Sequence, residues 1–207
     1  MGYRNRLEAG AALADRLTEY TGRADVTALG LVRGGVPVAA EVARRLGIRL
    51  DVLVVRKLGV PWAPEVAFGA LGPGGIQVLN EDISARLDPA EMAPVIRHEA
   101  AELRRRERLF RLGRADLDLT GQVALLIDDG LATGATAGAA VAVARALHAT
   151  HVILAAPVGA GAAVSRLRLL ADTVICPLTA DEFGSVSRYY DDFRQISDTE
   201  VTRFLPA

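Results

Sequence analysis

The sequence predicts an α/β protein, a doubly wound and mainly parallel sheet flanked by helices, with a small polar segment at the C-terminal end. Three observations carry that prediction. Runs that are apolar throughout, such as VTALGLV at 26–32, VALLI at 123–127 and HVILAAPV at 151–158, read as strands buried on both faces. Stretches with helical spacing and recognisable end signals alternate with them. Residues 26–55 contain a strand, a helix and a second strand in succession, which is a βαβ unit with parallel strands and a right-handed crossover.

In chain order, residues 5–20 show Leu7, Ala11, Ala14 and Leu17 at helical spacing, and Gly22 ends that helix. Val26–Val32 is the first strand and runs straight into Arg33-Gly34-Gly35. Val36–Leu46 follows as a helix, with Pro37 in its first turn and Gly47 at its C-terminal cap. Leu50–Val55 is the second strand, ending in Arg56-Lys57. From Leu58 to Gly75 the prolines Pro61, Pro64 and Pro73 break the pattern, so loops and a short hairpin are expected, with Gly74-Gly75 as a turn before Ile76–Leu79. Asp82–Leu112 is largely helical, with a second start at Asp88-Pro89-Ala90-Glu91. Its Arg-rich run, ELRRRERLFR, reads as a solvated face laced by Glu–Arg pairs, with Leu103, Leu109 and Phe110 inward. RNA contact is the competing reading, disfavoured by the interleaved acids. The helix Thr136–Leu147, the strand His151–Val158, the helix Ala162–Leu170 and the strand Thr173–Pro177 complete the alternation. The expected organisation is one domain over 1–207: a core of about 1–178, a helical insertion of about 82–112 and a terminal segment of about 179–207.

Composition narrows the function classes. The 207 residues are enough for a sizeable core, and a 51 % apolar, 24 % charged balance is that of a soluble globular protein. A net charge of −1 gives no general case for nucleic acid or for an anionic membrane. One cysteine, Cys176, excludes an intramolecular disulfide and a Cys-based zinc cluster, and its setting in TVICPL is that of a core residue. MGYRNRLEAG has no apolar signal core and no run approaches transmembrane length, so a cytoplasmic location is expected. Lys57 is the only lysine.

The chemistry concentrates in Gln122–Thr136, QVALLIDDGLATGAT. A buried strand ends in Asp128-Asp129, and a turn of small residues then leads into a helix. The carboxylates can accept hydrogen bonds from sugar hydroxyls or sit near a metal. The turn offers backbone N–H groups, the hydroxyls of Thr133 and Thr136 and a positive helix end to a phosphate. Such a site suits a phosphorylated sugar; the plainer alternative is that the acids cap the next helix. In doubly wound sheets ligands bind beyond the carboxyl ends of strands, where strand order reverses. Three strand ends carry suitable groups: Arg33-Gly34-Gly35, Arg56-Lys57, and Asp128-Asp129 with the TGAT turn. GLATGAT lacks the G-K-[ST] of a Walker A loop, Gly159-Ala160-Gly161 lacks the third glycine of a dinucleotide fingerprint, and His98, His148 and His151 lack ligand spacing.

The apolar run, the two acids, the small-residue turn and T-G-x-T resemble the phosphoribosyl pyrophosphate (PRPP) motif of the type I phosphoribosyltransferases. Arg33-Gly34-Gly35-Val36 resembles the family's pyrophosphate loop, and RKLGVPWAPEVAFGAL resembles a less characterised branch. The resemblance implies the type I phosphoribosyltransferase fold with the terminal segment as its hood. It also implies Mg²⁺-dependent transfer of the 5-phosphoribosyl group from PRPP to a small nitrogenous acceptor, with release of pyrophosphate, by a homodimer of nucleotide metabolism. Arg33, Lys57, Asp128 and Asp129 are then the catalytic residues. Arg33, Gly34, Gly35, Arg56 and Lys57 meet pyrophosphate, and Ala132, Thr133, Gly134, Ala135 and Thr136 cradle the 5-phosphate. Asp128 and Asp129 bind the ribose 2- and 3-hydroxyls, with Mg²⁺ held mainly by PRPP and water. The family's non-proline cis peptide is expected at Arg33–Gly34. Ala132 stands where 6-oxopurine transferases carry an aspartate, which disfavours hypoxanthine or guanine. In the hood, Phe183, Tyr189, Tyr190 and Phe193 either stack a flat heterocycle, with Asp191 or Asp192 accepting its N–H groups, or anchor the segment. In better-known members a basic hairpin closes over PRPP; here the corresponding place holds the Pro/Gly segment 58–75, whose one acid is Glu65, and the long Arg-rich helix. The alternative on the same scaffold is a PRPP or nucleotide sensor binding RNA through Arg104–Arg108.

Overall fold

The computed structural model describes residues 2–111 and 113–206; the readings above that reach Met1, Leu112 and Ala207 extend beyond the described residues. Helix α1 (Arg6–Ala14) is capped by Asn5, whose side-chain oxygen accepts from the backbone N–H groups of Leu7 and Glu8. It stops short of the expected end, and a 3₁₀ turn covers Thr18–Tyr20. Its buried face is Arg6, Ala9, Gly10, Leu13 and Ala14, which leaves Leu7 46 % exposed and corrects the expected phase. Gly10 sets that phase: a Cβ there would stand 2.9 Å from the Val38 carbonyl oxygen, so α1 lies on the next helix through its glycine.

Strand β1 (Val26–Leu31), helix α2 (Gly35–Leu46) and strand β2 (Arg49–Leu53) form the βαβ unit, with β1 and β2 parallel. Gly47 closes α2 in the left-handed conformation, at φ 64°. The chain then leaves the sheet. Arg56 and Lys57 do not end β2 but begin β3 (Arg56–Val60), which pairs antiparallel with β4 (Ala63–Leu71) and through it with β5 (Gln77–Leu79). The expected hairpin is present as β4 and β5, joined through Pro73–Gly75, and the stretch expected as loops adds β3 to make a three-stranded sheet. Pro61 lies in the connection between β3 and β4, and the register shifts at Gly59 and Val60 accommodate Pro64, an irregularity where proline is tolerated.

Helices α3 (Glu81–Ser84) and α4 (Pro89–Arg111) follow, and the Asp88 carboxylate accepts from the Ala90 N–H at 2.8 Å, at the expected second start. Leu103 and Phe110 of α4 are buried, but Leu109 is 39 % exposed, which corrects the third expected inward residue. Glu102 accepts hydrogen bonds from Arg105 and Arg106, and these hold its carboxyl down to about 2. That is a solvated face of paired charges.

Strand β6 (Val123–Ile127), helix α5 (Ala135–Ala146) and strand β7 (His151–Ala155) return to the sheet. The expected strand to Val158 divides at Ala156-Pro157. Beyond it β8 (Val158–Ala160) pairs with β10 (Leu178–Ala180) in a separate two-stranded sheet, while helix α6 (Gly161–Leu167) and strand β9 (Thr173–Ile175) complete the main one. Its order is β2-β1-β6-β7-β9, all parallel. Alternate residues of β6 serve opposite faces: Ala124 and Leu126 pack with α5, and Val123, Leu125 and Ile127 pack with α1 and α2. Burial on both faces is why its sequence does not alternate. The last helix among the described residues is α7 (Asp198–Phe204), opened by a Ser197–Glu200 capping box. Among the described residues no helix is long and apolar enough to cross a membrane.

Candidate functional site

Strands β1 and β6 are neighbours, with Gly30 opposite Ile127, and strand order reverses between them. The loop after β1 therefore meets the acids after β6 at the switch point. The contact is tight. A Cβ at Gly34 would fall 1.9 Å from Asp129 Oδ2, and one at Gly35 would fall 2.3 Å from the Ile127 carbonyl oxygen. Both glycines are demanded by this packing, before any ligand is considered. A non-proline cis peptide joins Val32 to Arg33, one bond earlier than the expected Arg33–Gly34.

Asp128 and Asp129 are held from several sides. The Asp128 N–H donates to the Ala155 carbonyl at 3.2 Å, and the Asp129 N–H donates to Asp128 Oδ1 at 2.9 Å. Asp129 Oδ2 accepts from Arg6 Nε at 2.8 Å. Burial pushes the Asp128 carboxyl well above the usual range, and the adjacent Asp129 pushes the same way; burial raises Asp129 too, against the opposing pull of Arg6. A pair whose charge is disfavoured in isolation gains from hydroxyl donors or a cation.

Sequence reasoning missed Arg6. It shares the buried stripe of α1 with Gly10 and Leu13, and an arginine in an apolar stripe signals a buried partner.

Tyr190 also differs from expectation. Only 7 % exposed, it donates its hydroxyl to the Asp129 carbonyl at 2.6 Å, and its ring lies against Tyr3 and Phe193. It is placed as a brace for the acid pair, not as a platform for a heterocycle. Tyr189 is half-buried and stacked on Phe183, ring centroids 4.9 Å apart. Phe183, Tyr190 and Phe193 thus pack with Ala9, Val158 and Tyr3, and Tyr189 is partly buried beside them.

Past the acids, Leu131 is buried while Ala132, Thr133 and Thr136 are exposed. Gly134 adopts φ 72° and serves as the N-terminal cap of α5, and Ala135 N–H donates to Thr133 Oγ1 at 3.3 Å. Arg166 fixes the turn from behind by donating to the Thr133 carbonyl at 2.7 Å. The turn presents its small residues and hydroxyls at the start of a twelve-residue helix.

The cations expected to meet pyrophosphate each face a carboxylate from an outlying element. Arg33 lies 3.5 Å from Asp198 of α7, Arg56 lies 2.5 Å from Glu99 of α4, and Lys57 lies 3.7 Å from Glu65 of β4. Between β3 and α4 opens a cleft of about 710 Å³ whose lining includes Val32, Arg56, Lys57, Arg106 and Thr136. It gathers the start of β3, the edge of the glycine loop and the end of the TGAT turn. Asp128, Asp129 and Gly34 are not among its lining residues. A larger hollow of about 1310 Å³ surrounds Asp51, whose carboxylate is already taken by Arg111 and Arg114 at 2.7 Å each. It contains none of the three strand-end motifs.

Among the described residues no group of three or more His, Cys, Asp or Glu could hold a metal. The donor set at the acid pair is two adjacent carboxylates. Two carboxylates fit an ion such as Mg²⁺ that keeps several waters and takes further ligands from substrate phosphates.

A family model described as the phosphoribosyl transferase domain matches residues 3–194. A protein of Mycobacterium tuberculosis H37Rv, provisionally named phosphoribosyl transferase Rv0571c, is 52 % identical over 203 residues, which are 97 % of this chain and 46 % of that protein. The chain thus spans about half the length of the curated relatives it matches. The crystal structure of TT1426 from Thermus thermophilus is similar with a TM-score of 0.90 at 40 % identity, covering 99 % of this chain and 98 % of that one. The AQ2163 protein of Aquifex aeolicus, with a TM-score of 0.51 at 10 % identity over 84 % of this chain and 74 % of that one, shares the fold alone.

Proposed function

The chain belongs to the phosphoribosyl transferase family, and from that premise we propose that it transfers the 5-phosphoribosyl group of PRPP to a small nitrogenous acceptor and releases pyrophosphate. The observation that carries this reading is the seating of the Arg33-Gly34-Gly35 loop on the Asp128-Asp129 pair at the switch point of the sheet.

Each group has a role that its placement supports. The backbone N–H groups of Ala132–Thr136 and the hydroxyls of Thr133 and Thr136 take the 5-phosphate at the α5 N-terminus. Asp128 and Asp129 accept from the ribose hydroxyls. Arg33, Arg56 and Lys57 exchange their carboxylate partners for pyrophosphate. As the bond from the sugar C1 to pyrophosphate breaks, the sugar takes on oxocarbenium character and negative charge grows on the departing oxygens. Cations fixed around that charge lower the barrier. Mg²⁺, when bound through PRPP and the acid pair, adds charge neutralisation at the leaving group. Ala132 supplies no acid or base to the acceptor, so a 6-oxopurine is disfavoured. The buried Tyr190 leaves acceptor recognition to the rim of the terminal segment, where Tyr189, Asp191 and Asp192 lie. On resemblance alone the proposal includes a cytoplasmic homodimer, each chain one domain with residues 179–207 as its hood.

The test is pyrophosphate release from PRPP with Mg²⁺ against a panel of bases and related heterocycles. Release with one acceptor class, lost in Lys57→Gln, is the expected result. No release with any acceptor, together with no binding of PRPP, overturns the reading.

A further inference from the structure

Arg6 belongs to none of the phosphate or sugar motifs, yet among the described residues it is the side chain outside the acid pair that hydrogen-bonds one of its carboxylates. It is 8 % exposed and engaged in three directions. Nε donates to Asp129 Oδ2 at 2.8 Å, Nη1 donates to the Arg194 carbonyl at 2.9 Å, and the guanidinium lies 4.0 Å from the centre of the Phe193 ring. We propose that Arg6 is a positioning residue for sugar recognition, fixing the rotamer of Asp129 so that its free oxygen faces the ribose hydroxyls. The inference rests on the reading of Asp128 and Asp129 as the ribose-binding pair.

The geometry around Asp129 supports this. Its Oδ2 is wedged between Arg6 and the Gly34 backbone, where a Cβ would come within 1.9 Å. Among the described residues no other residue donates to Oδ1, which lies 3.0 Å from where a Gly34 Cβ would stand. The main chain of Asp129 is held independently by the Tyr190 hydroxyl. One carboxylate oxygen is therefore committed to the scaffold and the other remains for a ligand. A planar guanidinium can serve a carboxylate, a carbonyl and an aromatic face at once; the single ammonium of a lysine cannot. Two of the three contacts belong to the terminal segment, so Arg6 ties that segment to the sugar site.

The plain alternative is a buried ion pair that holds α1 against the sheet. Calorimetric titration with ribose 5-phosphate and 2-deoxyribose 5-phosphate separates the two. The sugars share the phosphate anchor and differ in one hydroxyl. The wild-type protein should prefer ribose 5-phosphate by about tenfold or more, as expected for a hydrogen bond to a charged acceptor. In Arg6→Gln that preference should fall to within about twofold, while 2-deoxyribose 5-phosphate binds as in wild type. In an Asp129→Asn background, Arg6→Gln should remove nothing further. An Arg6→Gln protein that keeps the full preference overturns the proposal. So does one that loses both sugars equally, since that is a structural role. Should Arg6→Gln fail to fold, Arg6→Lys, which keeps the charge and loses the fork, is judged by the same two results. A wild-type protein that binds neither sugar, or binds both alike, fails the reading of the acid pair itself and the proposal with it.

Discussion

Replacing Gly34 by alanine places a methyl carbon 1.9 Å from Asp129 Oδ2 and 2.5 Å from its Cγ, where ordinary contact begins at 3.4 Å. Something must yield by roughly 1.5 Å at a site packed at interior density. The carboxylate is the softest neighbour, because it can rotate, but rotation breaks its 2.8 Å hydrogen bond from Arg6. The expected stability loss is about 1–3 kcal/mol, that of modest overpacking with a disturbed ion pair. PRPP affinity should fall by at least tenfold, since both the loop and the acid are displaced. Gly35→Ala differs in kind: its methyl meets the Ile127 carbonyl oxygen at 2.3 Å and Asp128 Cα at 2.8 Å, and neither can swing away. It should cost more stability than Gly34→Ala. Gly47→Ala is the control. Its Cβ meets nothing within 4 Å, so only the strain of φ 64° remains, about 1 kcal/mol, with no change in ligand binding. Urea unfolding and calorimetry on the three variants test the reasoning. Equal losses of stability, or a Gly34→Ala protein that binds PRPP as tightly as wild type, would refute it.

Asp128→Asn should raise the melting temperature by a few degrees while removing sugar binding, because burial and Asp129 both disfavour the charge it replaces; a lowered melting temperature would count against that electrostatic account. Burial pushes the Cys176 thiol up to about 12, so the thiolate appears only in strong alkali. Alkylation of the folded protein at pH 8 should run roughly a thousandfold slower than for a free cysteine, and comparable rates would contradict it. Glu99→Gln releases Arg56 from a partner 2.5 Å away, and pyrophosphate should then bind severalfold tighter with a steeper salt dependence. Weaker binding would mean that Glu99 positions Arg56 instead of competing for it.

What the sequence disclosed follows from which interactions were local. Val26–Leu31 and Val123–Ile127 were legible because strands buried on both faces have no polar side to alternate. Asp88-Pro89-Ala90-Glu91 marked the start of α4 because capping acts within one turn. In the Pro/Gly segment the hairpin around Gly74-Gly75 was legible from its turn residues, but β3 was not, because a bulged antiparallel strand tolerates Pro64 and propensity alone does not show the register. The phase of α1 turned on Gly10, whose role appears only when α2 lies against it. Arg6 was hidden for the same reason, since its partner is 123 residues away. The strand-end motifs told which groups could meet phosphate. They did not tell that Tyr190 is spent in bracing Asp129, or that α4 brings Glu99 and Arg106 to the cleft beside Arg56 and Lys57.

The acid pair and the glycine loop seated on it are proposed to form a PRPP site. Calorimetric titration of PRPP in the presence of Mg²⁺, on the wild-type protein and on the double variant Asp128→Asn/Asp129→Asn, tests it most directly. Saturable one-site binding to the wild-type protein and none to the double variant is the predicted result. Unaltered binding in the double variant, or no binding in the wild type, would contradict it.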